Sequence, residues 1–190
     1  MASNLTRQAI SESFIKLLNQ YPLDKITVRQ IVEDCGINRN TFYYHYRDVY
    51  ALLQEIFDQE AAKVIGNQRN YESWQNGLIE SARFALENKQ AVYHVYSSAH
   101  RDYFVRYLDQ VAGDLIHGFV VVQAEGLDVD PEDMHYIEIV YKYAVMGMIY
   151  EWVERHMKDD VEHIINRMGA LFDGAVRRTL EKAAGLPRQG

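Results

Sequence analysis

The stretch Gly36-Ile37-Asn38-Arg39-Asn40-Thr41-Phe42-Tyr43-Tyr44-His45-Tyr46 places a glycine, a guanidinium, two carboxamides, an imidazole and four aromatic rings in eleven positions. Such side chains suit hydrogen bonding to base edges and phosphates. Arg39 matches the acceptor pair of a guanine and Asn40 the donor and acceptor of an adenine, each good bidentate pair being worth roughly 1–3 kcal/mol of discrimination. The phenol rings of Tyr43 and Tyr44 offer apolar contact to a sugar or a thymine methyl and a hydroxyl for phosphate. Helical spacing puts Phe42 and Tyr46 together, facing inward with Ile37, and leaves Arg39, Asn40, Tyr43 and Tyr44 outward or sideways.

These residues need a helix to hold them, and the flanking sequence supplies its borders. Ala9, Ile10, Phe14, Leu17, Leu18 and Tyr21 share one face of a first helix over about Thr6 to Gln20, which Pro22 stops. Thr27-Val28-Arg29-Gln30 has the spacing of a capping box opening a short second helix with Ile31, Val32 and Cys35 inward. Gly36 ends it where a left-handed conformation costs least, and Asn38 caps a third helix running to about Tyr46. Two short helices around a glycine turn form a helix-turn-helix, whose second helix enters the major groove.

Downstream, Asp48 caps a longer fourth helix carrying Leu52, Leu53, Ile56, Phe57 and Val64, and residues 66–70 read as a turn. Further helices are expected over Trp74 to Ala85, Lys89 to Ser98, Asp102 to Ala124, and Glu132 to about Met157, with residues 125–131 as a loop. A single helix from Asp160 to about Ala184 carries a stripe from Val161 to Leu180 at i, i+3, i+4, i+7 spacing. That stripe fits either intrachain core or a helix shared with a second copy of the chain. No alternating strand pattern occurs, so the fold is expected to be all-α.

The 190-residue chain carries a net charge of −7 with a pI near 5.5, which argues at first against a polyanionic partner. The average conceals a split: residues 1–50 hold six Lys and Arg against five Asp and Glu, and the remainder 14 against 22. The acid lies in the second part. One cysteine excludes an internal disulfide and fits a reducing compartment. The amino terminus has no apolar signal region, and Tyr143 to Tyr150 falls far short of the roughly 20 residues of a membrane span, so a soluble cytoplasmic protein without a membrane partner is expected.

Residues 6–53 resemble the DNA-binding head of the TetR family of bacterial transcription regulators. The matching residues are Ile26-Thr27-Val28, Ile31, Gly36-Ile37-Asn38, Thr41-Phe42-Tyr43, His45-Tyr46 and Leu52-Leu53. The wording of residues 41–48 is also similar to a subgroup that includes regulators of dihydroxyacetone kinase operons, some of them activators. The resemblance implies phosphate contacts by Thr27, Thr41, Tyr43 and His45, with Arg39, Asn40 and Tyr44 nearest the base edges. Arg29, Asn38 and Arg47 complete the candidate DNA-binding set. Thr27 could serve as a cap alone, His45 could simply be exposed, and Tyr46 reads as core. Many family members carry a lysine at the start of helix four where this chain has Val49. Arg47 and Lys25 are the available substitutes, and a weaker salt dependence follows. Val32 stands where a smaller alanine is common.

The family pattern further implies a head at residues 1–50 and a helical regulatory and dimerisation domain at residues 51–190. The body would hold a pocket for a small apolar or aromatic effector. Trp74, Tyr96, Tyr103, Tyr107, Tyr141, Tyr143 and Met146 are its candidate lining, against the alternative that these rings are ordinary core. The expected assembly is a homodimer through the last two helices on a palindromic double-stranded operator, usually as a repressor. The rival readings are a partner-dependent activator and a helical interaction protein with no effector of its own. Catalysis is not expected, nor is a metal or cofactor. A di-iron bundle needs two Glu-x-x-His motifs and only Glu132-x-x-His135 occurs, and no zinc, phosphate-loop or nucleophile-elbow motif is present.

Overall fold

The computed structural model describes residues 2–67, 74–172 and 174–185. Among these the chain forms ten α-helices and no strand: α1 (Ala2–Leu18), α2 (Val28–Asp34), α3 (Arg39–His45), α4 (Val49–Gly66), α5 (Trp74–Glu87), α6 (Lys89–Tyr96), α7 (Asp102–Ala124), α8 (Pro131–Glu154), α9 (Val161–Phe172) and α10 (Ala175–Ala184). The expected turn at residues 66–70 lies partly outside the described residues. Packing divides the chain into two compact units, residues 1–60 with 84–107 and residues 61–83 with 108–190.

In the first unit the caps read from sequence are formed. Thr27 Oγ1 accepts from the Gln30 amide at 3.3 Å while Gln30 Oε1 accepts from the Thr27 amide at 2.9 Å. Asn38 Oδ1 accepts from the Thr41 amide at 2.8 Å, and Asp48 Oδ1 from that of Ala51 at 2.8 Å. Gly36 sits at φ 69°, which joins α2 to α3 without Cβ strain. The core is built from Ile10, Phe14, Ile31, Phe42 and Leu52, each fully buried. The Ser13 hydroxyl, buried beside them, donates to the Ile31 carbonyl at 3.2 Å.

The end of α1 is tied to α6 by polar groups. His94 Nδ1 lies 2.7 Å from the Leu18 carbonyl, and Asn19 Oδ1 accepts the Ala91 amide at 3.2 Å. Next to this seam, Phe14, Leu18, Leu53, Phe57, Val92 and Val95 help to line an apolar cavity of about 30 Å³.

In the second unit, α10 packs on α8 and α9 through Val176, Leu180 and Ala183. Arg177 Nη1 donates to the carbonyls of Gln123 at 2.7 Å and Glu125 at 2.9 Å, satisfying acceptors that the end of α7 leaves open. Asp130 caps α8 with Pro131 at its first position. The continuous helix expected over residues 160–184 is instead two helices. Gly174 adopts φ 63°, a left-handed conformation that ends the helical path, and α10 restarts beyond it. The apolar stripe breaks accordingly: Val161, Ile165, Val176 and Leu180 are buried, whereas Leu171 is exposed. No helix among the described residues is long and apolar enough to cross a membrane.

Candidate nucleic-acid interface

Helix α3 is short, and one fully buried ring, Phe42, fixes its orientation. Phe42 meets Tyr43 edge-on at 5.7 Å and Tyr46 at 5.7 Å between centroids. Tyr46 is buried as well, and its hydroxyl donates to Glu55 Oε1 at 2.7 Å. Burial first, and then the neighbouring Glu55 carboxylate, push the Tyr46 phenol up to about 12. With this inner edge fixed, the outer edge follows from helical geometry. Arg39, Asn40, Tyr43 and Tyr44 are exposed, Tyr44 to 82%.

The exposed edge of α3 carries unused hydrogen-bonding capacity. Arg39, Asn40, Tyr43 and Tyr44 have no side-chain hydrogen-bond partner among the described residues, so donors and acceptors stand ready on one helix edge. A guanidinium fork, a carboxamide and two phenols in that arrangement can address base edges and phosphates together. His45, half-buried, stacks edge-on with Tyr44 at 5.0 Å.

The other candidates are placed differently. Thr27 and Thr41 spend their hydroxyl protons internally, on Gln30 Oε1 at 2.8 Å and Asn38 Oδ1 at 3.1 Å. Asn38 keeps its amide hydrogens available while its oxygen serves the cap. Arg29 and Arg47 are exposed, but each is engaged by a carboxylate: Arg29 Nε by Glu33 Oε1 at 2.7 Å and Arg47 Nε by Asp48 Oδ2 at 2.9 Å. The sequence reading missed these carboxylates, although the i, i+4 spacing of Arg29 and Glu33 was a visible signal. Val49 is buried, so it supplies packing at the position where a phosphate-gripping lysine is common.

The pocket candidates fall in both units. In the first, Tyr96 is buried under the Arg101 guanidinium, which lies 3.9 Å from its ring centre and donates to its hydroxyl. Tyr107 is buried against Phe57 at 5.1 Å, and Tyr103 is half-buried beside Tyr50. None of these three lines the cavity beside α6. In the second, Trp74 and Met146 are buried, and Tyr141 meets Phe172 edge-on at 5.3 Å. Tyr141 also lines an open groove of about 320 Å³ with Tyr136, Val140, Thr179 and Lys182. Tyr143, by contrast, is exposed, with the Lys142 ammonium 4.7 Å from its ring centre. Among the described residues no cluster of His, Cys, Asp and Glu could hold a metal ion.

A three-helix head presenting an unpartnered polar edge on its last helix defines a helix-turn-helix regulator. Residues 12–56 match the bacterial regulatory proteins of the tetR family, and residues 72–174 match a transcriptional regulator C-terminal region of that family. The chain belongs to the TetR family of transcriptional regulators, whose members are not enzymes. It is similar to the HTH-type dhaKLM operon transcriptional activator DhaS of Lactococcus lactis, 31% identical over 87 residues, 46% of each chain. It is also similar to the class D tetracycline repressor protein of Escherichia coli, 29% identical over 86 residues, 42% of this chain and 38% of that one. The matches thus span less than half the length of these curated relatives. In structure it resembles the dihydroxyacetone kinase operon activator DhaS, with a TM-score of 0.77 at 20% identity over 91% of this chain and 97% of that one. A TetR transcriptional regulator from Streptococcus agalactiae gives a TM-score of 0.59 at 19% identity over 88% and 92%. These likenesses establish the all-α fold, a helix-turn-helix head followed by a helical bundle.

Proposed function

We propose that the chain acts in the cytoplasm as a homodimeric regulator on a palindromic operator, with residues 1–50 as the DNA-reading head and residues 51–190 as the regulatory body. The observation that carries this reading is the edge of α3, where Arg39, Asn40, Tyr43 and Tyr44 are exposed and unpartnered among the described residues. Arg39 and Asn40 read base edges and Tyr44 contacts a sugar or thymine methyl. Asn38, Tyr43 and His45 contact phosphates, and Arg29 and Arg47 do so once released from their carboxylates. Thr27 and Thr41 act mainly by fixing the starts of α2 and α3, and their hydroxyls donate to a phosphate only by turning away from Gln30 and Asn38.

The dimer reading is supported on α8. Tyr136, Val140, Tyr143 and Gly147 are exposed and follow each other at intervals of four, three and four residues, which is the spacing of a helix seam. Nothing lies within 4 Å of where a Cβ at Gly147 would project, so another helix can approach closely there. A small apolar or aromatic effector in the body would shift the population between DNA-competent and incompetent dimers. Occupancy of the operator represses transcription. The similarity to an activator over residues in the same family favours activation as the second reading.

Selection from a pool of random duplexes tests the proposal. The expected product is an inverted repeat whose half-sites lie one helical turn, about 10–10.5 base pairs, or a multiple of that apart. A single asymmetric site, or no enrichment, would overturn the dimeric operator reading. A reporter with the selected site placed over or upstream of a promoter then separates repression from activation.

A further inference from the structure

Four of the six Lys and Arg residues in the first fifty positions are held by the chain's own carboxylates. Besides the Arg29–Glu33 and Arg47–Asp48 pairs, Lys16 Nζ lies 2.6 Å from Asp34 Oδ1 and Arg7 Nη1 lies 3.7 Å from Glu55 Oε2. Lys25 and Arg39 have no carboxylate partner among the described residues. Two of the pairs flank α3, one along α2 before the turn and one immediately after the helix. Their side chains are solvated, with Arg29 69% and Glu33 60% exposed, and Arg47 84% and Asp48 37%. Solvated pairs are weak and open at little cost.

The Glu33 hydrogen bond raises the Arg29 guanidinium further above its ordinary value. At Asp48, partial burial pulls the carboxyl up, but the Ala51 amide and then Arg47 outweigh it and hold the group below the usual range. Asp48 divides its two oxygens between two tasks, since Oδ1 caps α4 and Oδ2 holds Arg47.

We propose that Glu33 and Asp48 are specificity-determining residues of the DNA-binding surface, each holding a flanking arginine in an internal ion pair that a phosphate must displace. The proposal rests on the operator reading above. Random DNA offers the protein chiefly phosphates. Exchanging carboxylate for phosphate at Arg29 or Arg47 gains little there, because the arginine gives up one anionic partner to take another. An operator also engages Arg39 and Asn40 at base edges, and that added binding brings the arginines onto the backbone. The carboxylates therefore lower non-specific affinity more than specific affinity, and the ratio between them is what locates a site in a genome.

The test is fluorescence anisotropy of the full chain on a duplex selected from a random pool by the wild type and on a scrambled duplex, over a series of salt concentrations. Glu33→Gln, Asp48→Asn, Arg29→Ala and the Arg29→Ala/Glu33→Gln double variant are compared with wild type. Glu33 is solvated and Asn at 48 keeps the capping oxygen, so the melting temperatures should stay near that of wild type. Glu33→Gln is expected to bind the scrambled duplex about five-fold more tightly, with a salt slope steeper by about one per protomer, while operator affinity rises less. Asp48→Asn should change the same quantities in the same direction. In the Arg29→Ala background Glu33→Gln should have little effect, which separates release of Arg29 from a general loss of negative charge. A wild type that discriminates between the duplexes while Glu33→Gln and Asp48→Asn leave the ratio unaltered overturns this proposal alone. An equal effect of Glu33→Gln with or without Arg29 overturns it too. A wild type that does not discriminate overturns the operator reading and this proposal with it.

Discussion

Tyrosine serves opposite purposes in α3 and in the helices that follow. Tyr43 and Tyr44 project from α3 with hydroxyls that meet no partner among the described residues. Tyr96 and Tyr107 are buried under a guanidinium and against Phe57, respectively. A ring that is buried and partnered contributes area and edge-on packing, which stabilise the fold. One held outward on a helix whose inner face is locked by Phe42 contributes little to folding and is available for recognition. The contrast shows that polar-tipped rings identify a site only where the fold leaves their polar tips unused.

The variants that test this contrast run from core to surface. Phe42→Ala removes the ring that orients α3 and should destabilise the head by about 3–5 kcal/mol, read in urea denaturation, with loss of all DNA binding. If DNA binding survived with normal affinity, the inner face of α3 would not be what positions the outer one. Arg39→Ala or Asn40→Ala should leave stability within about 0.5 kcal/mol of wild type and cost about 1–3 kcal/mol on the operator, with much less on scrambled DNA. Equal losses on both duplexes would assign Arg39 to a phosphate. Thr27→Ala, which breaks the capping box, should cost about 1 kcal/mol of stability. Its loss of affinity should follow the loss of folded head, and a larger loss would show that the Thr27 hydroxyl donates directly to a phosphate.

Tyr46 provides a pH test of the same inner edge. Its phenol titrates near 12 in the folded chain against an ordinary 10.0, so folding favours the neutral form. The associated stability is complete below pH 10 and is lost as the pH rises from 10 toward 12. Melting curves of wild type should fall more steeply across that interval than those of Tyr46→Phe. Parallel curves would show that the Tyr46–Glu55 hydrogen bond does not govern alkaline unfolding.

What the sequence disclosed was local. Thr27 and Gln30 stand three residues apart, Gly36 follows the short capped segment that ends at Cys35, and Asn38 precedes Thr41 by three. Each spacing fixes a cap or a turn without reference to distant residues, and each is formed in the structure. The period of Ile10, Phe14 and Leu17 likewise disclosed the inner face of α1. Long-range placement left no such mark. The bonds from Leu18 and Asn19 to His94 and Ala91 join residues more than seventy positions apart. The left-handed Gly174 interrupts a helix whose apolar period continues on both sides, so periodicity passed over the break. Aromatic composition after residue 50 could not separate the partnered Tyr96 from the exposed Tyr143, because both types of ring satisfy the same pattern.

The most direct test of the central claim, that the α3 edge selects a DNA sequence, is a titration of the purified chain by fluorescence anisotropy at two salt concentrations. The duplexes are the DNA upstream of its own gene, the wild-type duplex selected from a random pool, and a scrambled sequence. Selective binding to the selected duplex with two protomers per site, persisting at the higher salt, is the expected result. Equal, weak and strongly salt-dependent binding to all three would contradict it, leaving the exposed edge of α3 without a sequence to read.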